Sequence, residues 1–186
     1  MNESTPPSKR QRAIDAGARV FLRFGFTRAT MGEIAQAAGM SRPALYLIFC
    51  GKEEVFEAVI AQWSDESLAR IAAGLAARAT LGEKLRFACE TWCVEGVELA
   101  LANPDVRDMT GLPAVRKSYA RFEACLTDIL RQPTEQSGFG VTAADLARII
   151  VAAMQGLKLT ARSGEEMRRL IAAQALAIER ALSLAS

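Results

Sequence analysis

The chain has 186 residues, 51% hydrophobic and 24% charged, enough for one small domain and one larger helical core rather than two enzyme-sized units. It contains no His, no GxSxG elbow and no phosphate-cradling glycine loop, so no catalytic residue, metal or cofactor is expected. The net charge is only +2, yet residues 1–52 hold eight Lys and Arg against three acids, which gathers positive charge at the N-terminal end.

The opening stretch, MNESTPPSKRQR, lacks the apolar core of a signal peptide and reads as a short disordered arm. Ile14, Gly17, Ala18, Phe21 and Leu22 then recur at i, i+3, i+4, i+7 and i+8, which predicts an amphipathic helix ending at Gly25. Thr30 is the N-cap of a second helix, with Glu33 at capping-box spacing and Ile34, Ala37 and Ala38 on its apolar face. Gly39 suits the positive φ of a helix C-terminus, and Met40 fills the gap before the next helix. Ser41 caps that third helix and Pro43 falls in its first turn. Two short capped helices around a glycine turn spell a helix-turn-helix. In such a pair the second helix enters the major groove of double-stranded DNA. Arg42 is then placed to read guanine, and Pro43 and Ala44 offer apolar contact to a thymine methyl. Thr30, Ser41, Tyr46 and Lys52 are expected to hold phosphates. A plain helical hairpin, with Tyr46 half-buried and Lys52 solvated, would carry the same caps.

Residues 9–63 as a whole resemble the N-terminal domain of the TetR (tetracycline-repressor-like) family of bacterial transcriptional regulators. The resemblance is carried by AIDAGARVFLRFGF, ATMGEIAQAAGMS, the LY pair with the following F, and KEEVF. It implies an all-α protein with a three-helix helix-turn-helix DNA-binding domain over residues 1–52 and a helical effector-binding and dimerisation domain over 53–186. The implied partners are operator DNA, a second copy of the chain and a small apolar effector that releases a repressor from DNA. The chain departs from the family at Leu47 and Ile48, where aromatic or His residues are common, and at Cys50 and Gly51.

Past residue 52 one helix is predicted from Glu53 to about Ala77 and another from Leu81 to Leu101. Asn103 and Pro104 mark the start of a short helix reaching about Met109, which Gly111 and Pro113 break. A helix carrying Val115, Tyr119, Phe122, Leu126 and Leu130 follows, with QPTEQSGFG as the next loop. Thr142 with Asp145, and Ser163 with Glu166, cap the last two helices. Leu146, Ile149, Ile150, Ala153 and Leu157 on the first, with Leu170, Ile171, Gln174, Ile178 and Leu182 on the second, are assigned to a four-helix interface between two chains.

The aromatic and sulfur-bearing residues of the middle helices make a candidate effector pocket: Trp63, Phe87, Trp92, Met109, Arg116, Tyr119, Phe122 and Met154. Each suits ordinary core as well. Cys89 and Cys93 lie one turn apart, too few for a zinc site without His and poorly placed for a disulfide, so small buried hydrophobes is the reading preferred. A DNA-binding protein controlled by a protein partner or by cysteine redox state is the alternative to a small-molecule sensor. No run approaches the roughly 18 uncharged apolar residues of a membrane span, and a cytoplasmic protein is expected.

Overall fold

The computed structural model describes residues 7–103, 108–138 and 140–184, and every element among them is helical. The helices are α1 Lys9–Arg28, α2 Met31–Ala37, α3 Arg42–Tyr46, α4 Lys52–Leu75, α5 Leu81–Ala102, α6 Pro113–Ser137, α7 Ala143–Thr160 and α8 Gly164–Leu184. Ser8 caps α1 by accepting from the Gln11 amide at 3.0 Å. Residues 9–12 of the expected arm are therefore helical, and residues 1–6 lie outside the described residues. Gly25 interrupts α1 as expected, with φ 71° and ψ 174°, a conformation essentially confined to glycine, and a final turn continues to Arg28.

The short helix expected after Asn103 lies largely on residues 104–107, outside the described residues, and Asp108 and Met109 form a tight helical turn. One expectation needs correction. The loop expected from Gln132 begins later, because α6 runs through Pro133 to Ser137. Proline there removes the amide that would meet the Ile129 carbonyl, and the hydroxyls of the next turn bond carbonyls beyond it. The buried Thr134 hydroxyl donates to the Leu130 and Arg131 carbonyls at 2.9 and 3.0 Å, and Ser137 to Thr134 at 3.1 Å. Leu126, Leu130, Thr134 and Ser137 form one buried stripe, so packing holds the helix where local chemistry would end it.

The chain divides into two compact units. The first is Met1–Trp63 with Asn103–Arg116, and the second is Ser64–Ala102 with Lys117–Ser186. The first therefore extends past the boundary expected at residue 52, taking in half of α4 and the segment between α5 and α6. Its core gathers Ile14, Phe21, Ile34, Leu45, Val55 and Phe56 from four helices, with Phe49 from the turn after α3 and Ala114 from α6. The rings of Phe21, Phe26 and Phe56 lie 5.2 to 5.8 Å apart in pairs. Gly17 lets α1 and α4 approach: a Cβ there would stand 2.6 Å from Val55 Cγ1.

In the second unit α8 lies antiparallel along α5. Glu179 near the end of α8 accepts from the Gly82 amide at the start of α5, at 2.9 Å, while Arg168 near the start of α8 pairs with Glu98 near the end of α5, at 3.0 Å. The core there is built on Trp92, stacked on Phe122 with ring centroids 4.6 Å apart and planes 4° from parallel. Such an aromatic pair adds about 0.5–1.5 kcal/mol beyond its buried area. No helix among the described residues is long and apolar enough to cross a membrane.

Candidate nucleic-acid interface

The capping box of α2 is complete. The Thr30 amide donates to Glu33 Oε2 at 2.9 Å, and the Glu33 amide donates to Thr30 Oγ1 at 3.2 Å. The Thr30 hydroxyl also donates to Glu33, so the phosphate contact expected of Thr30 would require the box to open. At the other end Gly39 turns the chain with φ 64°, and the Met40 amide donates to Ala35 at 3.0 Å. Ser41 accepts from the Ala44 amide at 3.3 Å and starts α3. Leu45 is fully buried and fixes which face of this five-residue helix points inward. Ser41, Arg42 and Pro43 are consequently exposed, Ala44 is half-buried, and Tyr46 is 46% exposed with the Arg42 guanidinium 6.0 Å from its ring centre. Leu47 follows at 89% exposure, an apolar side chain in the open that belongs with this surface and that helical periodicity alone does not single out.

Lys52 is not a solvated phosphate clamp. Its ammonium donates to the carbonyls of Phe26, Thr27 and Ala29 at 2.9, 3.0 and 3.2 Å, and sits 4.7 Å from the Phe26 ring centre. The end of α1 creates this need, since the last carbonyls of a helix have no intrahelical partners. The neighbouring amides are met by Asp108, whose two carboxylate oxygens accept from Phe26 at 3.0 Å and Thr27 at 2.8 Å. Desolvation works against the Asp108 charge, but these hydrogen bonds and Lys52 outweigh it and hold the carboxyl below its ordinary pKa. Asn103 donates to the Leu22 and Arg23 carbonyls at 2.6 and 3.2 Å. The segment leaving α5 is thus fastened to the end of α1 by side chains some eighty residues away in sequence.

The eight expected effector residues fall in three places. Trp63, Met109 and Arg116 belong to the first unit, while Trp92, Tyr119 and Phe122 pack together in the core of the second, where Met154 is also buried. Phe87 instead lines an open groove of about 650 Å³ within the second unit, with Arg70 and Gly74 of α4, Glu90, Thr91 and Val94 of α5, and Arg168 of α8. Near the Trp92 cluster lies Lys158, half-buried on α7, its Nζ 5.3 Å from the Tyr119 ring centre. Burial pushes the Cys89 thiol well above the usual range and Cys93 to about 11, so neither is the thiolate that redox or metal chemistry needs.

The two last helices divide the expected interface set. Ile150, Ile171 and Leu182 are buried within their own chain, so they are core. Leu146, Ala153, Leu157, Leu170, Gln174 and Ile178 are half-buried, and Ile149 is 56% exposed. The exposed face also includes Leu176, 51% exposed, with Ala152, Gly156, Ala173 and Ala177 around the two helices.

Comparison with known proteins bears on these surfaces. Residues 13–59 match the family model described as bacterial regulatory proteins, tetR family. The chain is similar to the HTH-type transcriptional regulator SrpR of Pseudomonas putida, 50% identical over 52 residues, a stretch covering 28% of this chain but only 24% of that protein. It is also similar to the HTH-type transcriptional repressor Rv1474c of Mycobacterium tuberculosis, 26% identical over 175 residues and 92% of each chain. The fold matches that of the transcriptional regulator FadR from Bacillus subtilis in complex with stearoyl-CoA, with a TM-score of 0.66 over 92% of this chain and 96% of that one, at 19% identity.

Proposed function

With its N-terminal unit a member of the tetR family of bacterial regulatory proteins, we propose that this chain is a dimeric, DNA-binding transcriptional regulator, a repressor released from its operator by a small and mostly apolar effector. The observation that carries the DNA reading is the free end of α3. Leu45 anchors the helix from beneath, and Ser41, Arg42 and Pro43 stand clear of the protein at its N-terminus, on the more basic part of the chain. In this reading Arg42 reads a guanine, Pro43, Ala44 and Leu47 contact thymine methyls, and Tyr46 with the Ser41 amide holds backbone phosphates.

Dimerisation is supported by the apolar residues that α7 and α8 leave in the open, Ile149 and Leu176 above all, flanked by alanines and Gly156 that permit close helix approach. The repressor assignment and the effector draw support from the names of the relatives, one a repressor and one bound to stearoyl-CoA. The effector is assigned to the second unit, among Trp92, Tyr119, Phe122 and Met154. Three chain connections join the units, within α4 after Trp63, after Ala102, and within α6 after Arg116. A ligand that displaces α4 or α6 in the second unit therefore acts on the first through covalent continuity. Raised thiol pKa values count against cysteine redox as the trigger.

Selection of DNA from a random-sequence pool by the full chain tests the proposal. An enriched two-fold site, bound far more tightly than random DNA at the same salt concentration, is expected; recovery of DNA with no common sequence would contradict it.

A further inference from the structure

Lys158 stands on the inward stripe of α7, one turn beyond the fully buried Met154. Its ammonium lies against Gly96 of α5, where a Cβ would stand 3.3 Å from Nζ. Around it are the Tyr119 ring, the Cys93 thiol and the wall made by Trp92 and Phe122. At neutral pH none of these carries negative charge, since burial keeps both the phenol and the thiol protonated. No carboxylate among the described residues pairs with Lys158, and the nearest acids along α5 turn elsewhere, Glu95 to Arg70 and Glu98 to Arg168. Next to the ammonium, the Tyr119 hydroxyl is buried, and Lys158 is the side chain placed to donate to its oxygen. An ammonium that closes on the phenol oxygen still leaves the phenol hydrogen without an acceptor. Two adjacent donors, one of them charged, thus lack an anionic partner beside an apolar aromatic wall. Desolvation works against the Lys158 charge, and the Tyr119 and Cys93 groups that favour it, raising its pKa, do so fully only when they are themselves ionised, which they are not at neutral pH; the phenol hydrogen adds a buried donor with no acceptor.

We infer that Lys158 and Tyr119 together anchor the acid group of the effector, which makes the ligand class an apolar carboxylate rather than a neutral hydrocarbon. This rests on the effector reading above. One carboxylate can accept from an ammonium and a phenol at once through its two oxygens. Its hydrocarbon part then meets Trp92, Phe122 and Met154. Trp92 and Phe122 are in contact, so the hydrocarbon seats only by parting them, which moves α6 against α5.

The test is thermal melting of the full chain with sodium decanoate and with 1-decanol, using wild type, Lys158→Met and Tyr119→Phe. Decanoate is expected to raise the wild-type Tm by several degrees and decanol to raise it clearly less. Lys158→Met is expected to melt higher than wild type without ligand, because an unpaired cation is gone, and to bind decanoate roughly 10- to 150-fold more weakly, as loss of a charged hydrogen bond implies. Tyr119→Phe keeps part of the response. Should Lys158→Met fail to fold, the same contact is read on wild type by mass spectrometry, as protection of Lys158 from acetic anhydride by decanoate; labelling unchanged by decanoate would then overturn the anchor. Equal response to decanoate and decanol, or a full response from Lys158→Met, would overturn the anchor while leaving an effector site in place. A wild type indifferent to both compounds would overturn the carboxylate class itself, and the DNA selection above then decides separately whether the regulator reading survives.

Discussion

Lys52 gives its ammonium hydrogens to three carbonyls at the end of α1, so Lys52→Met is expected to lower the stability of the first unit by about 2 kcal/mol. The slope of log affinity against log salt should stay the same; a slope reduced by about 1 would restore Lys52 as a phosphate contact. Arg42→Ala should weaken the selected site by about 1–3 kcal/mol and random DNA little, and equal losses on both, read from binding isotherms, would remove Arg42 from base reading. Asp108 carries the pH dependence. Its carboxyl is held below its ordinary value of 3.8, so its stabilising effect is complete above that pH and is lost as pH falls through the lower folded value. Asp108→Asn should therefore lower stability at neutral pH and flatten the acid limb of a Tm–pH curve below the ordinary carboxyl value of 3.8. Neither Lys52 nor Asp108 is legible in the sequence as a structural residue. Their partners are 23 to 82 positions away, and no local pattern announces which carbonyls a helix end will leave to a distant side chain.

At the level of elements, the legible parts are those decided within four residues. Thr30, Ser41, Thr142 and Ser163 all cap the helices assigned to them, because a cap is a contact between a side chain and an amide two or three positions on. The all-α fold follows from the same local signals. What misleads is punctuation that packing overrides: Pro133 reads as a helix end, yet Leu126, Leu130, Thr134 and Ser137 bury one stripe across it. Gly25 does interrupt its helix, since its conformation admits hardly any other residue. Gly25→Ala is accordingly expected to cost about 1–3 kcal/mol, measured by denaturant unfolding, even though alanine is the better helix former. A stabilised variant would show that the kink relaxes without penalty. Lys158 is the candidate-site residue that periodicity could have exposed, as a cation four residues past Met154 on a buried stripe.

For the whole molecule, the apolar pattern of α7 and α8 does not say which side faces its own chain and which faces outward, and the buried Ile150 and Ile171 are distinguished from the exposed Ile149 and Leu176 only by the fold. The difference separates two outcomes. Ile150→Glu or Ile171→Glu buries an unpaired charge and should unfold the chain, whereas Ile149→Glu or Leu176→Glu should leave it folded and, by light scattering, monomeric. Folded dimers from both of the latter variants would move the interface elsewhere. The regulator reading depends on two heads held at a fixed separation, because recognition helices in a two-fold dimer meet half-sites about one DNA turn, roughly 34–36 Å, apart. The most direct measurement is affinity for the selected operator as base pairs are inserted between its half-sites. Insertion of half a turn, about 5 base pairs, should abolish tight binding by rotating one half-site to the far side of the duplex. Affinity indifferent to that insertion would mean that the heads act independently, and would contradict a dimer that reads its operator as a unit.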